Sequence, residues 1–259
     1  MTAVLTVTDL SIRFGGLLAV EAMSFEVRDG EVLSLIGPNG AGKTSAFNAI
    51  TGYVEPAGGR IAYLGTSLIG RTPNAIAELG VVRTFQKTSV FTGLTVFDNV
   101  MIGLHLRSRQ KPIAILLGLP SVAREERELE HAARQTLQVL GLEVRAEQPA
   151  SALPYGELRL LEVAVALAAK PKLLLLDEPV SGMNPAETAS FMKMLARIRG
   201  LGITVLLVEH DMKMVMGVSD RVICLNQGRI IASGAPAEIQ RNPEVIKAYL
   251  GERYVRAHG

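Results

Sequence analysis

The pattern of hydrophobic and polar residues predicts a chain in which buried strands alternate with helices. Three predominantly apolar runs are typical of parallel strands covered on both faces; they occupy residues 32–36, 172–177 and 203–208. Other segments place apolar residues at helical spacing or start a helix at a proline; they predict helices at residues 45–50, 124–140, 158–169, 186–199, 236–241 and 243–251. This alternation predicts an α/β fold with a parallel sheet at its core.

Shorter segments that alternate apolar and polar residues predict an antiparallel β region ahead of the first buried strand. They are residues 4–7, 10–14 and 23–27, with turns at 15–16 and 29–30. Two further short strands and a hairpin are predicted at residues 60–64, 81–86 and 222–232. From residue 87 to about 160 the pattern becomes helical. We therefore expect a core formed by residues 1–86 and 161–259, with an inserted helical subdomain of residues 87–160.

A glycine-rich segment follows the first buried strand and leads through Ser45 into a helix; it reads Gly37-Pro38-Asn39-Gly40-Ala41-Gly42-Lys43-Thr44. Glycines let successive backbone N–H groups turn inward and form a nest for phosphate oxygens, and the helix adds the positive end of its dipole. In this setting Lys43 reaches the β- and γ-phosphates and the Thr44 hydroxyl can ligate Mg²⁺. The alternative is an ordinary glycine-rich turn, in which the strand, the spacing, the lysine and the hydroxyl coincide by chance. The segment therefore predicts a nucleotide site.

Two adjacent carboxylates end the second buried strand. Asp177 is placed to hold Mg²⁺ through its water shell, and Glu178 can polarise an attacking water. The alternative is a surface turn that happens to carry an Asp-Glu-Pro sequence. Gln86 and His210 also follow apolar strands, and an open parallel sheet binds its ligands where its strands end. The pattern therefore predicts a phosphoryl-transfer site at this edge of the sheet.

Composition narrows the class of protein and its partners. Of 259 residues, 48% are hydrophobic and 20% are charged, which is typical of a globular chain and excludes a disordered one. The formal net charge of +2 provides no strong field for nucleic acid. Cys224 is the single cysteine, so an intramolecular disulfide is excluded. We expect no signal peptide, and the longest apolar stretch, residues 112–123, is too short to span a bilayer.

With these motifs in place, the whole chain resembles the ATP-binding subunits of ABC transporters. The Walker A loop, the Walker B pair and the D-loop of that family are matched by residues 37–44, 177–178 and 181–185. Phe14 resembles the aromatic residue that stacks on adenine, Gln86 the Q-loop glutamine, and His210 the switch histidine. Finer features resemble the LivG-type ATPases of branched-chain amino-acid importers; they are residues 13–17, 80–86, 153–157 and 249–252.

The signature loop departs from the family pattern. Most ABC ATPases have Leu-Ser-Gly-Gly-Gln where this chain has Leu153-Pro154-Tyr155-Gly156-Glu157. Pro154 lacks a hydroxyl and a backbone N–H, so two donors to a γ-phosphate are lost, and Glu157 adds a negative charge. Gly156 and the start of the next helix remain able to face a phosphate. The resemblance implies nucleotide contact by Tyr155, Gly156 and Glu157, whereas the residues alone also fit a plain helix start after a proline.

The resemblance implies cofactors and partners as well as a site. ATP and Mg²⁺ are the implied cofactors, with Mg²⁺ held by Thr44, Gln86 and Asp177. The residues implied in hydrolysis are Lys43, Gln86, Glu178 and His210. The family's signature loop faces the nucleotide of a second subunit, so we expect a head-to-tail dimer with two ATP molecules. That dimer is either a homodimer or a heterodimer with a related ATPase.

The expected complex sits at the cytoplasmic face of the plasma membrane. It adds two transmembrane permease subunits and, through them, a substrate-binding protein, and the helical subdomain passes dimer closure to the permeases. Two other functions fit the same core motifs. One is another ABC transporter, such as a urea or amide importer or a lipid exporter. The other is a soluble ABC-type ATPase of translation or DNA repair, which the single cassette, the lack of sustained heptads and the single cysteine disfavour.

Overall fold

The computed structural model describes residues 2–84, 90–105 and 120–249 of the chain. Within these ranges the strands form a six-stranded and a four-stranded sheet with helices packed against them. This arrangement confirms the α/β fold predicted from the apolar runs. Gln86, the predicted Q-loop residue, lies outside the described residues. In the described ranges, no helix is both long enough and apolar enough to cross a membrane.

Ten strands are described, and they are numbered here in chain order. They are β1 (Ala3–Phe14), β2 (Leu17–Arg28), β3 (Val32–Ile36), β4 (Gly58–Tyr63), β5 (Thr66–Ser67), β6 (Val81–Arg83), β7 (Leu173–Asp177), β8 (Thr204–Val208), β9 (Arg221–Asn226) and β10 (Arg229–Gly234). The six-stranded sheet has the order β10-β9-β3-β8-β7-β6 and is parallel except for the β9–β10 hairpin. The antiparallel sheet has the order β2-β1-β4-β5.

The first strand differs from its prediction. The separate strands predicted at residues 4–7 and 10–14 form the single strand β1, which pairs with β2 through several register shifts. Asp9 adopts a positive φ of 49° at one of these shifts, and its N–H donates to Ser24 Oγ at 2.8 Å. A bulge of this kind interrupts the alternation of side chains without ending the strand. The apolar–polar pattern therefore breaks where the backbone pairing continues.

The helices around the sheets largely confirm the predicted helical segments. They are α1 (Lys43–Ile50), α2 (Pro73–Glu78), α3 (Val96–His105), α4 (Pro120–Leu140), α5 (Tyr155–Ala168), α6 (Pro185–Gly200), α7 (Met212–Val218), α8 (Pro236–Arg241) and α9 (243–249). Proline and a capping residue define the start of α6, where the Asn184 side chain accepts from the N–H groups of Ala186 and Glu187. The division of the chain into a core and a helical subdomain remains a prediction.

Alternate residues of the central strands pack into two different cores, which explains why these strands are apolar on both faces. Leu174 and Leu176 of β7 belong to a cluster with residues of α3, α4 and α5. Leu173 and Leu175 belong to a second cluster with α1 and the antiparallel sheet. Because both faces of the sheet are covered, these strands are almost entirely apolar until they end, and their buried polar residues before that point, Ser34 and Thr204, are hydrogen-bonded to Ser219 and to the Gly30 N–H.

The central strands end at one level, and this brings the predicted site residues together. In the parallel register, Leu35 of β3 and Asp177 of β7 both pair with Val208 of β8. The segments that leave these strands start at Gly37, Glu178 and Glu209. The glycine-rich loop and the two later polar motifs therefore emerge from neighbouring strands at the same edge of the sheet.

Candidate nucleotide-binding and hydrolysis site

The glycine-rich loop is packed so closely that two of its glycines have no room for a side chain. Gly37 and Gly42 have φ angles of 149° and 101°. A Cβ on Gly37 would overlap the carbonyl oxygen of Leu225, and one on Gly42 would lie 2.6 Å from the carbonyl oxygen of Ala19. The loop is thus clamped between β2 and the β9–β10 hairpin. This close packing sets its backbone in place before any ligand binds.

The start of α1 has the features of an anion site. Among the described residues, no hydrogen-bond acceptor contacts the backbone N–H groups of Gly40, Gly42, Thr44 or Ser45. The cap residue provides no side-chain cap, and the first turn contains no acidic residue. Unpaired N–H groups at the positive end of a helix dipole bind phosphate oxygens. The geometry therefore supports the predicted phosphate site at residues 39–45.

Lys43 lies within this loop and not in solvent. Its side chain is buried, and its Nζ donates to the carbonyl oxygens of Gly37 at 2.6 Å and Pro38 at 2.9 Å. A buried ammonium group is unfavourable unless anions or carbonyl dipoles surround it. The loop thus holds a positive charge beside the N–H groups that face the expected phosphates.

Asp177 ends β7 with one carboxylate oxygen paired and the other available. It is 2% exposed, and its Oδ2 accepts a hydrogen bond from Arg83 Nη2 at 2.6 Å. Its Oδ1 is buried and has no hydrogen-bond partner among the described residues. A buried, unpaired carboxylate oxygen requires a partner, and Mg²⁺ with its water shell supplies one. The residues present at this position therefore fit the predicted metal.

Glu178 is turned away from the strand that precedes it. Its φ is 47°, an unusual conformation for a residue with a side chain, and its N–H donates to Val208 O at 2.8 Å. Such strained backbone is tolerated where the surrounding structure holds it, often at functional sites. The backbone therefore changes direction at Glu178, and the half-buried Glu178 side chain does not continue the strand geometry of Asp177.

The structure adds a carboxylate to which the sequence pattern assigns no role. Glu209 is fully buried between β8 and His210, and its Oε2 accepts from the His210 N–H at 2.9 Å. Burial raises the pKa of Glu209, the nearby His210 lowers it, and the negative charge of Glu178 raises it further. Its position at the end of a buried apolar strand, like that of Asp177, is the one signal in the sequence, and that signal does not show whether the side chain is buried. His210 itself is exposed beside this group.

The signature residues contact other parts of the same chain. Tyr155 begins α5, its hydroxyl donates to Ser181 O at 2.9 Å, and it accepts from Arg159 Nε at 3.1 Å. A Cβ on Gly156 would lie 2.9 Å from Glu187 Cγ at the start of α6. Glu157 pairs with Arg145 at 3.0 Å, which offsets the extra negative charge noted in the sequence.

The predicted site residues therefore fall into separate groups. One edge of the sheet brings together Lys43, Thr44, Asp177, Glu178 and His210. The contacts described for residues 155–157 do not involve the glycine-rich loop. Phe14 is 48% exposed at the end of β1, in the antiparallel sheet. A buried lysine in a glycine-rich loop between a parallel strand and a helix, with an aspartate at the end of a nearby strand, defines a P-loop nucleotide-binding protein.

Comparisons with known proteins specify the family. The family profile described as ABC transporter matches residues 20–181, and one described as Branched-chain amino acid ATP-binding cassette transporter matches residues 229–255. The high-affinity branched-chain amino acid transport ATP-binding protein LivG of Salmonella typhimurium is 45% identical over 249 residues, which is 96% of this chain and 98% of that protein. The lipopolysaccharide export system ATP-binding protein LptB of Escherichia coli is 33% identical over 252 residues, covering 97% and 99%.

A solved structure is similar along nearly the whole chain. The crystal structure of the ADP conformation of MJ1267, an ATP-binding cassette of an ABC transporter, has a TM-score of 0.85 at 29% sequence identity. It covers 97% of this chain and 100% of its own. The chain belongs to the ABC transporter family, as an ATP-binding subunit whose ATPase activity is coupled to transport.

Proposed function

We propose that this chain hydrolyses MgATP at the edge of its six-stranded sheet and thereby powers the import of branched-chain amino acids. The observation that carries the cargo class is the 45% identity to LivG along 96% of the chain. The match of residues 229–255 to a profile specific to branched-chain amino acid cassettes supports it independently of the nucleotide motifs. The lower identity of 33% to LptB makes a lipid-extracting ATPase the second candidate.

The glycine-rich loop and the ends of the strands would bind different parts of MgATP. The N–H groups of Gly40, Gly42, Thr44 and Ser45, together with the ammonium group of Lys43, would hold the phosphate oxygens. Thr44 Oγ1 would ligate Mg²⁺ and Asp177 Oδ1 would hold it through its water shell, with Gln86 as the third group implied by family resemblance. Mg²⁺ neutralises charge on the phosphates when bound. Phe14 provides an exposed ring on which adenine can stack.

Hydrolysis would depend on Glu178 and His210. Glu178 would orient and polarise the attacking water, since it follows β7 at the same edge of the sheet as the phosphate loop. His210 is exposed at the end of the neighbouring strand and can donate a hydrogen bond to the phosphoryl group as its charge shifts. Buried Glu209, bonded to the His210 backbone, holds that turn in place.

A second subunit would complete each site. Tyr155, Gly156 and Glu157 have no described contact with the loop of their own chain, so they are available to a nucleotide bound by a partner. We infer a head-to-tail dimer that ATP closes and hydrolysis reopens, because ATP contacts both subunits only in the closed state. The partner is a related ATPase or a second copy. Two permeases at the inner face of the membrane and a substrate-binding protein complete the importer.

Glu178→Gln tests both the chemistry and the assembly. The variant is expected to bind MgATP but to hydrolyse it about a hundredfold or more slowly, since general-base catalysis is lost. Glu78→Gln, on the exposed face of α2, is the matched control and should hydrolyse ATP normally. Normal turnover by Glu178→Gln would contradict the assigned role.

The same variant, isolated from native membranes with MgATP, identifies the partners. Two multi-span permeases and a second ATPase are expected, together with a binding protein that takes leucine, isoleucine or valine. Recovery of lipopolysaccharide export components would favour the second candidate. Ribosomes or DNA-repair proteins in place of permeases would contradict the transport function.

A further inference from the structure

Arg83 joins the two elements that carry the proposed Mg²⁺ ligands. It lies on β6 with its side chain 8% exposed, and its Nη2 donates to Asp177 Oδ2 at 2.6 Å. Its Nη1 donates to Asn48 Oδ1 at 2.7 Å and to Thr51 Oγ1 at 3.4 Å, both from the segment formed by α1 and its last turn. One guanidinium group therefore bridges the end of β7 and the helix of the phosphate loop.

The helix face that Arg83 contacts is the one that carries Thr44. Residues four apart on a helix lie on the same face, so Asn48 is one turn below Thr44. Thr51 extends the same face at the end of the helix, and the Phe47 ring lies 5.5 Å from the guanidinium carbon. The position of Thr44 relative to Asp177 is thus determined in part by a single buried side chain.

The two carboxylate oxygens of Asp177 have different surroundings, as expected if Arg83 holds only one of them. Arg83 takes Oδ2, and Oδ1 is buried with no partner among the described residues. A planar guanidinium group presents its donors on separate nitrogens in a rigid fork, whereas an ammonium group donates from a single nitrogen. Partners in the outer shell of a metal site orient the ligands in this way, and their loss commonly weakens metal binding.

We propose that Arg83 is a positioning residue for Mg²⁺, which holds Asp177 by Oδ2 so that Oδ1 binds the hydrated metal. This inference rests on the proposed MgATP site. The alternative relation is competition, in which the buried arginine and Mg²⁺ exclude each other from the same carboxylate. The two relations predict opposite changes in metal affinity when the arginine is removed.

Binding of ATP as a function of Mg²⁺ concentration tests the proposal. For Arg83→Gln we expect the half-saturating Mg²⁺ concentration to rise about 10- to 100-fold. ATP binding in EDTA should change less than about twofold, because the N–H groups of the loop are untouched. Arg83→Lys should recover only part of the loss, since Arg83 reaches Asp177 and Asn48 from two different nitrogens and an ammonium group has only one.

Arg221→Gln is the matched control. Arg221 also belongs to the central sheet and pairs with a buried carboxylate, Glu31, at 2.8 Å, but it starts β9 beside Leu33, at the end of the sheet opposite to the glycine-rich loop. Its removal should lower stability and leave the Mg²⁺ requirement unchanged. A general loss of stability therefore cannot imitate the expected result.

Each outcome decides the proposal. An unchanged Mg²⁺ requirement in Arg83→Gln would show that the arginine is structural only, and a lowered one would show that it competes with the metal; either overturns the inference. If Arg83→Gln fails to fold, Asn48→Ala removes the shorter of the two helix-side contacts and should raise the requirement by a smaller factor. If Asp177→Asn leaves Mg²⁺ dependence unchanged, the proposed metal site itself is wrong.

Discussion

Replacing Gly42 by alanine tests whether the glycine-rich loop is held by packing against its neighbours. The new Cβ would lie 2.6 Å from Ala19 O and 3.1 Å from Val20 Cγ2, whereas ordinary contact begins at 3.4 Å. Because the nearest atom belongs to the backbone of β2, rotation of a side chain cannot relieve the overlap. The loop or the strand must move by about 0.8 Å, the difference between those two distances.

The magnitude follows from two terms. A side chain at the φ of 101° found at Gly42 costs about 1–2 kcal/mol, and overpacking a filled site costs a further 1–3 kcal/mol or so. Gly40→Ala isolates the first term, because Gly40 has a φ of 78° and nothing within 4 Å of its Cβ position. We therefore expect Gly42→Ala to be less stable than Gly40→Ala by about 1–3 kcal/mol.

Urea unfolding without nucleotide measures this difference directly. The midpoint of Gly42→Ala should fall below that of Gly40→Ala with an unchanged m-value. In thermal melts the gap should be about 2–12 °C for a chain of this size. Equal destabilisation of the two variants would refute the reasoning, because backbone conformation alone would then explain the need for glycine.

Two further predictions concern the charged groups of the site. Lys43→Ala should weaken ATP binding about tenfold or more, since a hydrogen bond to a charged group contributes about 1.5–3 kcal/mol. Calorimetry measures the affinity, with Lys172→Ala as the control because Lys172 is exposed. Equal affinities of the two variants would contradict the loop assignment. Burial raises the pKa of Glu209 above its ordinary 4.5, so the folded protein retains a proton that the unfolded chain loses. The free energy of unfolding therefore falls as pH rises from 4.5 through the folded pKa. Glu209→Gln should flatten that decline in urea unfolding between pH 4.5 and 8, and an unchanged slope would contradict it.

The parts of the site that depend on local spacing were predictable from the sequence. The strand, the glycines, Lys43 and Thr44 lie within a short segment, so their relation to one another follows from backbone geometry alone. Asp177 and His210 were identified because each follows an apolar run, and parallel strands place such residues at one edge. Glu209 was given no role, because charge at a strand end does not reveal whether the residue points inward.

Apolar runs show that a strand is buried, but they do not specify its neighbours. The bulge at Asp9 made one strand resemble two, because the alternation of side chains is broken while the hydrogen bonding continues. The unusual signature residues could be interpreted as losses of contact with nucleotide. Only the fold pairs Glu157 with Arg145 and Tyr155 with Ser181, and it thereby gives these side chains roles within their own subunit.

The sequence by itself determined the kind of protein and the chemistry of its phosphate loop, because that chemistry depends on residues adjacent in the chain. The tertiary structure decided which distant groups meet. Arg83 and Asp177 are 94 residues apart in sequence, yet they lie on neighbouring strands because the chain leaves the sheet after β6 and returns as β7. The physical reason is that burial follows from hydrophobic periodicity, whereas the partner of a buried charge follows from strand order, which periodicity does not encode.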